Sequence, residues 1–259
     1  MLFALEFPPI EHLLEWPGIL FKDTPFEVNK VVLLMWASVA IVFALFYVAG
    51  KRASSPEGLV PTGVQNVVEA SVEFVRKDII LQTMGPEGLA WTPFLCTFFF
   101  FIFFTNIWEV IPGIQFPVNA RMALPAFMAL LVWVVYNYVG IKSQGLGRYF
   151  KNVMFPPGVP GGLKPLVALI EFISTIFVRP FSLAVRLFAN MLAGHLLLVT
   201  FAVLAAALWS KTLLLVILPL PFVMLVLLTG FEILVAVLQA FIFTILTAVY
   251  IAGAMHPEH

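Results

Sequence analysis

Two apolar stretches of more than forty residues, Pro165 to Leu208 and Thr212 to Ala254, occupy the C-terminal part of the chain. A helix crosses the hydrocarbon core of a bilayer in ~20 residues, so each stretch is about twice the length one span needs. Of the 259 residues 62% are hydrophobic and 11% charged, far from the roughly half-apolar, quarter-charged make-up of soluble domains. The sequence therefore reads as an integral membrane protein. Each long stretch fits either two short spans or one long helix lying steeply tilted in the bilayer, since tilt accommodates excess length.

The polar residues inside the stretches discriminate between these readings. Glu171, Arg179, Arg186, Asn190, His195, Glu232 and Gln239 are embedded in otherwise apolar sequence. A charge at the bilayer centre costs ~2.5 to 3.5 kcal/mol on insertion scales, so such residues face protein or water and are functional candidates by default. At about 100° per residue, Glu171, Thr175, Arg179, Ser182, Arg186 and Asn190 fall within a ~100° arc of one helix. A hairpin would split that stripe, and Pro180 is a better kink than reversal signal. Glu232, Gln239 and Tyr250 likewise lie within ~20° of one another on the second helix. His195, nine residues after Arg186, projects ~180° away and ~13 Å further along, and so serves a different surface.

The rest of the chain supplies shorter elements. Residues 1–30 carry Glu6, Glu11, Glu15, Asp23 and Glu27 among several prolines, without the basic start of a secretory signal, and are expected to form an outer segment. A first span is expected over 31–50, closed by Lys51 and Arg52, and a surface helix over 63–85, where Glu69, Glu73, Arg76, Lys77 and Asp78 make the sequence too polar to cross. A two-span hairpin follows over 92–141, then the long pair over 165–255. Cations gather after the first span, before the second and after the third, which by the positive-inside rule puts those ends and the C-terminus in the cytoplasm and the N-terminus outside. No internal repeat divides the chain, and 1–259 reads as one membrane domain.

Fourteen Lys and Arg balance fourteen Asp and Glu, which excludes the basic footprint of a nucleic-acid binder. The single cysteine, Cys96, excludes an internal disulfide and a cysteine metal site, and sits as a small hydrophobe. His12, His256 and His259 read as solvated terminal residues. Neither G-x-x-x-x-G-K-[ST] nor G-x-G-x-x-G occurs in the required context, so no nucleotide or other cofactor is expected.

The segment Ser182-Leu183-Ala184-Val185-Arg186-Leu187-Phe188-Ala189-Asn190-Met191-Leu192-Ala193-Gly194-His195 resembles the signature of subunit a of the proton-translocating F-type ATP synthase. Phe231-Glu232 through Leu238-Gln239-Ala240-Phe241 and Thr105-Asn106-Ile107-Trp108-Glu109-Val110-Ile111-Pro112 match further blocks of that family in order and spacing. The resemblance implies an all-α polytopic membrane protein of short spans plus two long tilted helices, forming a hairpin against a rotor ring. It implies a non-catalytic, proton-conducting stator subunit whose partners are the c-subunit ring, peripheral-stalk b subunits, the catalytic sector indirectly, and lipid. A bacterial plasma membrane is the expected location.

By the same resemblance Arg186, with Asn190, faces the ring carboxylates. Asn106, Glu109, His195, Glu232 and Gln239 line an outer half-channel, with His195 and Glu232 as its relay. Glu171 and Ser174 line the inner one. Some bacterial members carry the carboxylate first and the histidine second, the reverse of His195 and Glu232. Pro117-Val118-Asn119-Ala120-Arg121 departs from the Asp and Asn that many members have there, so the resemblance carries no role over to Asn119 or Arg121. Arg179, beside Pro180, reads as an interfacial anchor or local pair. The alternative from another class is a proton-coupled secondary transporter, which favours repeats and interrupted helices.

Overall fold

The computed structural model describes residues 18–21, 27–54, 60–155, 161–209 and 213–255. Most of the expected outer segment and His12, His256 and His259 lie outside these residues. Among the described residues the chain is helical, with one isolated antiparallel bridge between Leu20 and Val28. Among the described residues five helices are long and apolar enough to cross a membrane.

Helix α1 (Lys30–Ala53) starts at Asn29, whose side chain accepts from the Val32 N–H at 3.2 Å, and ends in Lys51 and Arg52, where cations suit the helix dipole. Only Leu34, Ser38 and Ala49 of this helix are buried, so it sits at the periphery. Two long-range polar contacts tie its first turns to the loop that follows the next span. The Trp108 indole donates to Ser38 Oγ at 2.7 Å, and Lys30 Nζ donates to the Ile114 carbonyl at 3.0 Å.

Helix α2 (Val64–Phe74) continues through a π-turn (Val75–Ile80). On its exposed face Lys77 and Glu73 pair at 2.9 Å, four residues apart. That hydrogen bond and charge hold the Glu73 carboxyl below, and the Lys77 ammonium above, their ordinary ranges. Exposure of both keeps the contribution to stability small.

Helix α3 (Thr92–Ile107) is apolar over most of its circumference, as suits a membrane span. It buries Leu95, Cys96, Phe98, Phe99, Phe100 and Ile102 in the main core. Phe98 stacks on Phe243 with centroids 5.4 Å apart, and Phe100 meets the Phe46 ring edge-on at 5.0 Å. After a short 3-10 turn (Val118–Ala120) comes α4 (Ala123–Gln144), which ends at Gly145 with φ 80°, a left-handed value suited to glycine. The chain folds back as α5 (Leu146–Met154), and Tyr149 lies on Gly140 so closely that a Cβ there would enter its ring.

Residues Lys164 to Leu208 form one unbroken helical run of 45 residues: α6 (Lys164–Ile173), a π-turn (Ser174–Val178) and α7 (Arg179–Leu208). Helix α8 (Pro219–Met255) adds 37 residues. At 1.5 Å per residue these measure about 68 Å and 55 Å against ~30 Å of hydrocarbon, so a membrane placement requires steep tilt or ends that project into water. The long-helix reading therefore describes both stretches better than pairs of short spans.

One detail differs from the sequence reading. The irregularity in the first long helix is a π-turn just before Pro180. Pro180 has no N–H to give the carbonyl four residues earlier, and the Arg179 N–H reaches back to the Ser174 carbonyl instead. The extra residue in that turn shifts the bearing of everything after it by about one residue's rotation, ~100°. The six-residue stripe expected from uniform geometry is accordingly divided. Thr175 is buried and Glu171 and Arg179 half-buried, whereas Ser182, Arg186 and Asn190 are exposed.

Candidate functional site

Helix α7 packs between α4 and α8 and presents two unlike faces. Leu183, Ala184, Leu187, Met191, Gly194 and His195 are buried against the rest of the chain. Arg186 and Asn190, one turn apart, point out of the molecule on the other side. Among the described residues no carboxylate lies within ion-pair distance of Arg186. An exposed guanidinium on an apolar helix surface is a fixed cation, because charge delocalised over three nitrogens keeps its proton where lysine can lose one. Gln239, buried on α8, directs its amide at the backbone carbonyl of Arg186, at 3.5 Å. This weak contact sits where the two long helices meet, so Gln239 touches the helix that carries the arginine rather than the guanidinium itself.

The opposite face of α7 borders a buried polar cluster. His195 Nδ1 lies 3.8 Å from Glu109 Oε1, with both side chains almost wholly buried. Glu109 reaches this place because α3 ends at Ile107 and the chain turns over Trp108 to Val110. Glu232, 4% exposed on α8, lays its carboxyl on the backbone of α7 at Gly194, and a Cβ at that position would collide with all three carboxyl atoms. Glycine is thus what lets the Glu232 carboxyl pack against α7, at the residue just before His195. Glu109 faces the imidazole itself, and among the described residues Glu109 Oε1 and Glu232 Oε2 have no hydrogen-bond partner.

A cavity of about 310 Å³ opens onto this cluster, with Glu109, Gln115, Phe116, His195, Leu198 and Thr229 among its lining. The Phe116 ring meets the His195 imidazole edge-on, with centroids 6.2 Å apart. Imidazole titrates near neutral pH and both accepts and donates protons, whereas carboxylates only accept until protonated. A histidine paired with a carboxyl at the edge of this cavity can pass protons between water and the protein interior. Among the described residues no group of His, Cys, Asp and Glu is arranged to hold a metal ion.

Asn106 is also buried here, and its partner is a residue to which the sequence assigned no role. Asn119 Nδ2 donates to Asn106 Oδ1 at 2.6 Å and to Thr105 Oγ1 at 2.8 Å. Its sequence signal is only a polar residue in an apolar connection between two spans. At the other end of α7, Glu171 and Ser174 are half-buried beside the π-turn. There the sequence reading missed Tyr136, whose hydroxyl donates to the Thr175 carbonyl at 2.6 Å. Arg179 lies over the Tyr250 ring, 5.5 Å from its centroid, a local pairing. Tyr149 donates to Asn137 Oδ1 at 3.0 Å, and burial pushes its phenol pKa up.

Comparison with known proteins identifies the family. The family described as ATP synthase A chain matches residues 32–252. A protein named ATP synthase subunit a from Frankia alni is 41% identical over 253 residues, covering 94% of this chain and 83% of the relative. The subunit a of Rhodococcus erythropolis is 40% identical over 252 residues, covering 93% and 88% respectively. That of Rhodopseudomonas palustris is 42% identical over 228 residues, covering 87% of each. With these matches spanning the helices that carry both faces of α7, the chain belongs to the ATP synthase subunit a family, the non-catalytic proton-translocating membrane subunit of that complex.

Proposed function

We propose that this chain conducts protons through two offset half-channels and that Arg186 couples their passage to rotation of a ring of c-subunits. The observation that carries the reading is the opposition of the two faces of α7: Arg186 and Asn190 exposed on one, His195 buried on the other beside Glu109, with the Glu232 carboxyl against the adjacent Gly194. In this reading the cavity at Glu109 and His195 is the outer half-channel, with Asn106 and Glu232 around its inner end and Gln239 at the helix contact. The inner half-channel runs past Glu171 and Ser174.

A ring carboxylate that passes Arg186 meets a permanent cation, which favours its ionised form. Once protonated, it turns into lipid without the desolvation cost of a bare charge. The same cation disfavours an excess proton in the low-dielectric gap between the half-channels and so prevents a direct leak. Protons therefore cross by way of the ring. The peripheral-stalk b subunits hold the chain against that rotation. A bacterial plasma membrane, with the N-terminus outside and the C-terminus in the cytoplasm, suits the cation distribution. The secondary-transporter alternative is not favoured by α8, which runs without interruption from Pro219 to Met255.

Replacement of Arg186 by Ala in the assembled complex tests the reading. ATP-driven proton pumping in inverted vesicles should fall by about 100-fold or more, and passive proton leak should rise. Normal pumping by the assembled variant would refute the coupling role.

A further inference from the structure

The Asn119 side chain is wholly buried and Asn106 is 1% exposed, yet the hydrogen bond between them leaves Asn119 Oδ1 and Asn106 Nδ2 without a partner among the described residues. A pair serving only to lock two segments together would satisfy its own atoms, because each buried amide atom left unbonded is costly. One acceptor and one donor left over on adjacent amides match the two sides of a water molecule. An exchange of the amide O and N assignments in both residues leaves the same pair of unmet needs.

The location gives this niche meaning. Asn106 and Glu109 are one turn apart, and the Glu109 N–H bonds back to the Asn106 carbonyl at 3.1 Å. The turn that carries Asn119 packs against α7, closed by the Ala120 N–H on the Pro117 carbonyl at 3.2 Å. Three residues before Asn119, the Phe116 ring touches His195. The segment from Phe116 to Asn119 thus reaches the imidazole at one end and the Asn106 amide at the other. The unbonded Glu109 Oε1 and Glu232 Oε2 extend the same set of buried polar atoms.

We propose that Asn119 is a positioning residue of the outer half-channel: with Asn106 it orders buried water next to Glu109, and protons cross that water on their way through the site. Asn119 neither gains nor loses a proton, since an amide orients water but does not carry an excess proton at neutral pH. Thr105 anchors the amide from the interior side, so the orphaned oxygen is held in one orientation. The inference rests on the proposed outer half-channel and adds a residue that the family resemblance did not place there.

The test uses the assembled complex in inverted membrane vesicles, with the variants N119L, N119S and E109Q. Leucine keeps the bulk and removes the polar atoms, whereas serine restores an oxygen and leaves room for water. Passive proton flux should fall about tenfold in N119L, the order expected for one lost buried hydrogen-bonding group, and recover at least in part in N119S. Normal flux in N119L, or equal loss in N119L and N119S, overturns the inference. E109Q separates the levels: normal flux in it as well would remove the outer half-channel itself, whereas loss in E109Q with normal N119L removes only the role of Asn119.

If N119L does not assemble, N119C decides through silver ion, a probe small enough to follow water. Inhibition of N119C, but neither of A120C nor of the unsubstituted complex with its buried Cys96, supports the inference. Insensitivity of N119C overturns it.

Discussion

The two faces of α7 solve opposite problems with the same helix. On the inward face a histidine and a neighbouring glycine meet carboxyl groups from two other elements, and every member of the cluster is buried. On the outward face Arg186 and Asn190 have no such enclosure. A cluster that exchanges protons with water must be built within one chain, because its spacing has to be held constant. A cation that acts on passing groups must be left open, because its partners come and go. Burial thus separates a fixed relay from a moving contact, although both are polar residues in apolar sequence.

The R186A variant is the largest expected break in this contrast, since it removes the outward face's only charge near the helix centre. Next comes the inward relay. H195A or E232Q should lower proton conduction by roughly 100-fold, the low end of what positioned acid-base groups contribute, with assembly intact. The double exchange H195E/E232H should conduct better than either single loss, and equal loss in all three would argue against a relay.

A smaller effect, about tenfold, is expected for G194A, whose added methyl must displace the Glu232 carboxyl, as overpacking of a tight site does. Proton flux and thermal stability of the assembled variant would separate a displaced carboxyl from a general packing fault. Smallest is Y136F, which withdraws one hydrogen bond from the Thr175 carbonyl at the π-turn. A roughly threefold loss of pumping is expected. An unchanged rate would show that the turn holds its shape without that bond.

The helical class and the membrane character were legible because they follow from composition and segment length, which tertiary contacts do not alter. His195 and Glu232 stood out because an ionisable group in apolar sequence is costly wherever it lies, whereas Glu109 came only with the family resemblance. Asn119 did not, since an amide in a connecting loop looks like any turn residue until Asn106 is seen against it. Gly194 was quoted only as part of a motif, and its purpose depends on a carboxyl 38 positions away in sequence. The π-turn escaped for another reason. Hydropathy periodicity assumes a constant angle per residue, and one widened turn breaks that assumption without any change in composition.

Lys30 and Trp108 give the peripheral helix α1 a part beyond filling lipid-facing space. Its first turns are pinned to the very loop that supports Glu109 and Phe116, one bond at Ser38 and another at Ile114. Sideways force on α1, as from a tether that resists torque, would be delivered to the mouth of the cavity before it reached the long helices. The first span is in that sense a guy rope, and how taut it is held would bear on the shape of the entrance.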